Sequence, residues 1–200
     1  MTTPIIIGLT GFRQVGKSSV ADHLVQNHGF QRMHPFEGGK VACRAYFTHI
    51  GATEDEARRM TDGDLKDKPS PYLPDEQTPR YYMERFGYFM GVDLGPDWTL
   101  GRELERVKNS GEGGRYVVES IVYEVDALRK AGGAVVRINR EGVEISGLKT
   151  DAAVREIVPD ADFDNSGSCK ADMAERFDEM LRSIGIDLRA EEPDYDMAIG

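Results

Sequence analysis

Cysteine is scarce in this chain: 200 residues hold two, Cys43 and Cys169, far apart and without CxxC or Cys/His spacing. Neither a disulfide framework nor a zinc site is indicated, and a reducing, cytoplasmic setting fits best. Histidine is sparse too. His23, His28, His34 and His49 show no ligand spacing and are expected to be structural or solvated. No apolar run can span a bilayer; the longest near the N-terminus, Pro4 to Leu9, is far too short and lacks the basic start of a signal peptide. Positive charge is in the minority, with 25 Lys and Arg against 35 Asp and Glu, a net charge of -10. The overall field therefore repels polyanions, and a nucleic-acid contact would need a local basic patch.

What is present is a globular composition, 40% hydrophobic and 30% charged. The length suits one α/β domain over residues 1–189, large enough to bury about 70% of its unfolded surface, with an acidic, loose tail at 190–200. Ile5, Ile6 and Ile7 form a run ended by Gly8, as in a central parallel strand covered on both faces. Val20, Ala21, Leu24 and Val25 stripe the helix that follows, and Gly29 ends it. The pattern predicts a second strand over Phe30 to Phe36, a helix from Lys40 to His49, an exposed loop from Thr61 to Pro79 and a helix from Arg80 to Met90. Strands at 116–118 and Ala134 to Ile138 flank a helix from Ile121 to Lys130. Arg140 to Asp160 is polar, Ala161 to Phe163 a short apolar piece, and Ala171 to Ile184 an amphipathic helix. Strands alternating with helices require right-handed crossovers, hence a doubly wound parallel sheet.

Gly11, Gly16, Lys17 and Ser18 match GxxxxGKS, between a buried strand and a helix, which is the context this phosphate-binding loop needs. Glycines let the backbone N–H groups curl toward phosphate oxygens, and the helix N-terminus adds its positive dipole end. Lys17 would bridge the β- and γ-phosphates of ATP, the Ser18 hydroxyl would ligate Mg2+, and Ser19 is a small polar neighbour with helix-start chemistry.

Three stretches, GLTGFRQVGKSSVADHL, TPRYYMERFGYFMGVDLGPDW and ADFDNSGSCKADM, resemble the bacteriophage deoxynucleoside monophosphate kinases, relatives of the adenylate and thymidylate kinase group. The resemblance spans nearly the whole chain. It implies a P-loop NTPase fold, an acceptor-binding insert at about 40–110, a small lid at about 140–160, ATP and Mg2+ as cofactors, and an Asn, here Asn165, beside the nucleotide base, as in dephospho-CoA kinase. It departs at Val92 and at Ser120-Ile121-Val122-Tyr123, where the family carries arginines; Arg102 or Arg106 could replace them. By the same resemblance Glu37 takes the place of an acid at the end of the second strand, where it would orient an acceptor hydroxyl as general base. Lys40, one turn on, reads as solvated.

Glu119 follows the third strand, where an acid holds Mg2+ through water. Arg80 heads a helix whose dipole repels it, which suggests an external anion such as substrate phosphate. Of Arg137 and Arg140, the latter is the candidate lid arginine for the transferring phosphoryl group. Trp98, the one tryptophan, is a core residue or an acceptor contact.

The leading expectation is phosphoryl transfer from ATP to a deoxynucleoside 5′-monophosphate, with no membrane partner and with a second copy of the chain as a candidate partner. An alternative places the acceptor in phage DNA, as the hydroxymethyl of 5-hydroxymethyluracil. A third is a nucleotide-binding protein without turnover.

Overall fold

In the computed structural model the described residues are 4–109, 114–143, 149–167 and 169–188. Five strands, β1 (Ile5–Thr10), β2 (Gln31–Met33), β3 (Arg115–Glu119), β4 (Ala134–Asn139) and β5 (Ala161–Asp164), form one sheet in the order β2-β3-β1-β4-β5. Every pairing is parallel, and β1 lies between β3 (Leu9 opposite Glu119) and β4 (Thr10 opposite Arg137). The strand order reverses around β1, so the carboxyl ends of β1, β3 and β4 open a crevice, the position where open α/β sheets bind ligands.

Alternation along β1 sorts its side chains onto two layers. Ile7 and Leu9 join Val20 and Leu24 of α1 (Lys17–His28) and Phe177 and Leu181 of α8 (Lys170–Ser183). Ile6 turns to the opposite layer, with Leu100, Leu104 and Val107 of α5 (Pro96–Asn109) and Leu128 of α6 (Val125–Lys130). A third apolar cluster, Cys43, Phe47, Ala57, Met60 and Met83, joins α2 (Glu37–His49), α3 (Glu54–Asp62) and α4 (Pro79–Tyr88) into a helical lobe.

The structure corrects several boundaries. Strand β2 ends at Met33, and α2 begins at Glu37, three residues before the expected Lys40. Proline at 35 ends strand pairing, and the first helical bond, Lys40 N–H to the Phe36 carbonyl at 2.9 Å, follows at once. Helix α3 carries a legible start signal, a capping box in which Thr53 accepts from Glu56 N–H and Glu56 accepts from Thr53 N–H at 2.9 Å. Its N-cap is worth roughly 1 kcal/mol. Helix α4 ends at Tyr88 and passes through a π-helical turn, Phe89–Asp93, into α5, whose Leu100, Leu104 and Val107 stripe the sequence reading missed. Within the polar segment lies α7 (Lys149–Glu156). Residues 144–148 of the expected lid and the 190–200 tail lie outside the described residues. No described helix is long and apolar enough to cross a membrane.

Candidate functional site

The loop between β1 and α1 is held by its glycines. Gly11 and Gly16 sit at φ +134 and +94; a Cβ at Gly11 would lie 2.3 Å from the Ile138 carbonyl oxygen, and one at Gly16 would lie 2.1 Å from the Asn165 amide nitrogen. These φ values belong to the region only glycine enters without strain. Asn165, buried at the end of β5, donates to the Val15 carbonyl at 2.8 Å and so braces the loop from below. The Lys17 ammonium donates to the Gly11 and Phe12 carbonyls at 2.8 and 2.7 Å, which draws it across the concavity of the loop.

Beside the loop, the Ser18 hydroxyl donates to Glu119 Oε1 at 2.5 Å, so the end of β3 and the start of α1 place two hard oxygen donors together. That donor set suits Mg2+. Arg32 lies 3.7 Å from the other Glu119 oxygen.

A cavity of about 270 Å³ opens from the loop toward the helical lobe. Its lining carries the cations Arg13, Lys17, Lys40, Lys66 and Arg80, the aromatic rings of Phe36, Tyr88 and Tyr123, and the carboxylates Glu84, Glu124 and Asp151. Glu124 is committed to the backbone, accepting from Val122 and Tyr123 N–H at 3.1 and 3.0 Å. Burial pushes the Glu84 carboxyl above its usual range.

Arg80 donates through two nitrogens to Asp67, which also takes Arg13 at 3.3 Å. Lys40 reaches Asp62 at 3.0 Å. Burial, then Arg80 and Lys40, lower the pKa of the half-buried Lys66 ammonium, and Asp62 and Asp67 offset this only in part. A cation held out of water beside other cations is costly unless an anion joins them.

Several sequence expectations change. Glu37 does not line the cavity; it sits in the first turn of α2, 3.6 Å from Lys40, because the strand ends early. Lys40, read as solvated, is a cavity residue with a side chain 17% exposed. Arg102 pairs with Glu105 on the exposed face of α5 and Arg106 with the buried Glu103, both at 2.9 Å, and neither arginine lines the cavity. In place of the arginines missing at Val92 and Val122, the structure brings Arg13, Lys40 and Lys66. Trp98 is neither core nor lining: it is 55% exposed, on the face of α5 opposite Leu100. Arg140 lines a second groove with Phe12, Val15 and Asn139 and is not among the cavity's lining residues, while Arg137 is tied to the Ile157 carbonyl. Ser19 is half-buried behind Ser18. His34, expected to be structural or solvated, lines the cavity; burial, then Lys40 and Lys66, hold it down to about 3, so the ring is neutral. Its Nδ1 accepts from Phe36 N–H at 3.0 Å, which leaves the proton on Nε2.

No family model matches the chain, and no curated protein matches it. Among solved structures, TT1252 from Thermus thermophilus aligns with 93% of this chain and 100% of its own, at 16% identity and a TM-score of 0.51. A dephospho-CoA kinase from Campylobacter jejuni covers 90% of this chain and 96% of its own, at 14% identity and a TM-score of 0.42. A sugar kinase from Janibacter sp. covers 93% and 100%, at 14% and 0.42. The five-stranded parallel sheet, with GxxxxGKS between its central strand and first helix, is the arrangement that carries a phosphate-binding loop. The likeness is one of fold, and none of the three bears on the substrate of this chain.

Burial lowers Lys17 to about 8, with Glu119 and Asp151 pulling it back up and Arg13 adding to the depression. Below that value the lysine is already charged; above it the lysine is neutral in the free chain, and bound phosphates would raise its pKa again. Nucleotide binding is therefore expected to take up a proton increasingly from pH 7 to pH 9, toward one per site. Calorimetry of ATP binding in buffers of different ionisation enthalpy measures this uptake. A value that stays flat over the range would refute the perturbed lysine.

Proposed function

We propose that the chain is an ATP-dependent kinase that phosphorylates a deoxynucleoside 5′-monophosphate to the diphosphate. The observation that carries this reading is the group of cations lining the cavity, Arg13, Lys17, Lys40, Lys66 and Arg80, and above all Lys66, on whose half-buried charge burial, Arg80 and Lys40 outweigh the pull of Asp62 and Asp67. A monophosphate with about two negative charges is the kind of anion that would complete it. The deoxynucleoside part rests on the resemblance of the segment Thr78 to Trp98.

In this reading the loop N–H groups and Lys17 hold the transferring phosphate, and the groove at Phe12, Val15 and Arg140 takes the donor nucleoside. Arg140 then serves the donor's nucleoside, with no part in the transferring group. Ser18 and Glu119 would hold Mg2+, which neutralises charge on the donor's terminal phosphates. Lys40, Lys66 and Arg80 fix the acceptor phosphate, Phe36, Tyr88 and Tyr123 flank its base, and Glu84 accepts from a base N–H. One acceptor oxygen forms the new bond to the γ-phosphorus as the bond to the β–γ bridging oxygen breaks, and ADP leaves. That oxygen is already anionic, so no general base is required. Positioning and charge suffice.

The alternative acceptor, a hydroxymethyl group in DNA, drew its support from missing arginines and from Glu37 as base. Lys40, Lys66 and Arg13 supply the cations, and Glu37 stands outside the cavity. Incubation with labelled ATP against the deoxynucleoside monophosphates and a 5-hydroxymethyluracil duplex tests the reading. Label in a nucleoside diphosphate is expected; label confined to DNA, or transferred to no acceptor, overturns it.

A further inference from the structure

We propose a second, separate ligand site: a divalent cation of the zinc class bound by His23, His28 and Asp178 at the seam between α1 and α8. His23 Nε2 lies 2.7 Å from Asp178 Oδ1, and His28 Nε2 lies 3.0 Å from Oδ2. The two imidazoles meet edge to face, with centroids 5.0 Å apart. One donor atom from each of the three residues falls within 4.8 Å of the others, the one such group among the described residues. It is largely shielded, with side chains 7%, 17% and 20% exposed, at the rim of the apolar contact that Val20 and Leu24 make with Phe177 and Leu181.

The donor chemistry selects the ion. Two imidazole nitrogens and one carboxylate suit zinc, whereas Mg2+ and Ca2+ call for oxygen alone. A tetrahedral zinc with ligands at about 2.0–2.2 Å holds neighbouring donor atoms about 3.3–3.5 Å apart. The two nitrogen–oxygen spacings, 2.7 and 3.0 Å to different oxygens of Asp178, are shorter than that edge, and the three donor atoms lie within 4.8 Å of one another, so side-chain rotations that turn both rings onto one ion complete the site, and the partial exposure leaves the fourth position to water. Both Nε2 atoms now donate to Asp178. On ligation each ring's proton moves to Nδ1, and no net proton is lost.

The neighbouring amide can accommodate that change. Asn27 Nδ2 stands 2.8 Å from His23 Nδ1. Half a turn of the amide presents its oxygen to the new Nδ1–H, the outer acceptor that fixes a ligating histidine. Bound there, the ion would clamp α1, which leads out of the phosphate loop, to α8, which follows the Asn165 brace.

The test uses the full chain with metal alone. Co2+ should bind one per chain with the visible d–d bands of tetrahedral coordination, Zn2+ should displace it, and the melting temperature should rise with free Zn2+. Asp178→Asn and His28→Gln, both close in shape to the residues they replace, should lose the bands, and Asn27→Ala should bind about 10–100-fold more weakly. Glu119→Ala should bind as well as wild type, which separates this site from the phosphate loop. Absence of saturable binding overturns the proposal. So do bands that survive Asp178→Asn, binding lost in Glu119→Ala, or a thiolate-to-cobalt band that disappears in Cys169→Ser.

Discussion

Replacing Lys17 by alanine is expected to remove at least about 10²–10³-fold of phosphoryl transfer, the scale seen when a single donor to developing charge is deleted. The fold should survive. Burial depresses the lysine's pKa to about 8, so its charge is carried at a cost in the folded chain, and its two bonds go to loop carbonyls with no part in the core. The melting temperature should therefore hold or rise slightly while activity collapses. A variant that melts normally and keeps activity within a few-fold of wild type would remove the loop from the chemistry.

Lys66→Met and Arg80→Ala should act on the acceptor alone. Loss of a charge-assisted contact costs roughly 1.5–3 kcal/mol, read as a rise of about 10–100-fold in acceptor KM with the ATP KM nearly unchanged. The two differ in stability. Burial, Arg80 and Lys40 outweigh Asp62 and Asp67 at Lys66, so its charge is carried at a net cost and methionine should stabilise the free chain; Arg80 is bonded twice to Asp67, so alanine should stabilise nothing. A gain in stability together with a loss in acceptor binding is what a residue held for a ligand produces. Salt supplies the control: a monophosphate in this cavity should show a shallow dependence of KM on ionic strength, and a DNA backbone a steep one. If the acceptor KM of both variants equals wild type, the cation-lined cavity is not the acceptor site.

Where the reading of the sequence fell short, the cause was distance along the chain. Lys40 and Lys66 lie in polar stretches that look solvated. Only the packing of α2, α3 and α4 around Phe47 and Met60 turns them toward one cavity. Glu37 lies outside the cavity lining for a local reason, the end of β2 at Met33 ahead of Pro35, and the exposed place of Trp98 was not foreseen because α5 was not recognised and its buried face could not be assigned. Both signals were present in part: proline stops strands, and Leu100, Leu104 and Val107 recur at helical spacing.

By itself the sequence determined what is local. A glycine-rich loop between an isoleucine run and a striped helix specifies the curled backbone and the two residues, Lys17 and Ser18, at its end, because glycine conformation and helix periodicity act over a few residues. Alternating strands and helices specified a parallel sheet for the same reason, since handed crossovers leave little choice. Tertiary structure alone decided the sheet order, the meeting of Ser18 with Glu119, the brace from Asn165, the cation-lined cavity and the His23, His28 and Asp178 cluster. Ser18 and Glu119, Val15 and Asn165, and His23 and Asp178 are each separated by more than a hundred residues. Their charges and hydrogen bonds take effect only once the apolar layers on both faces of β1 have closed and excluded water.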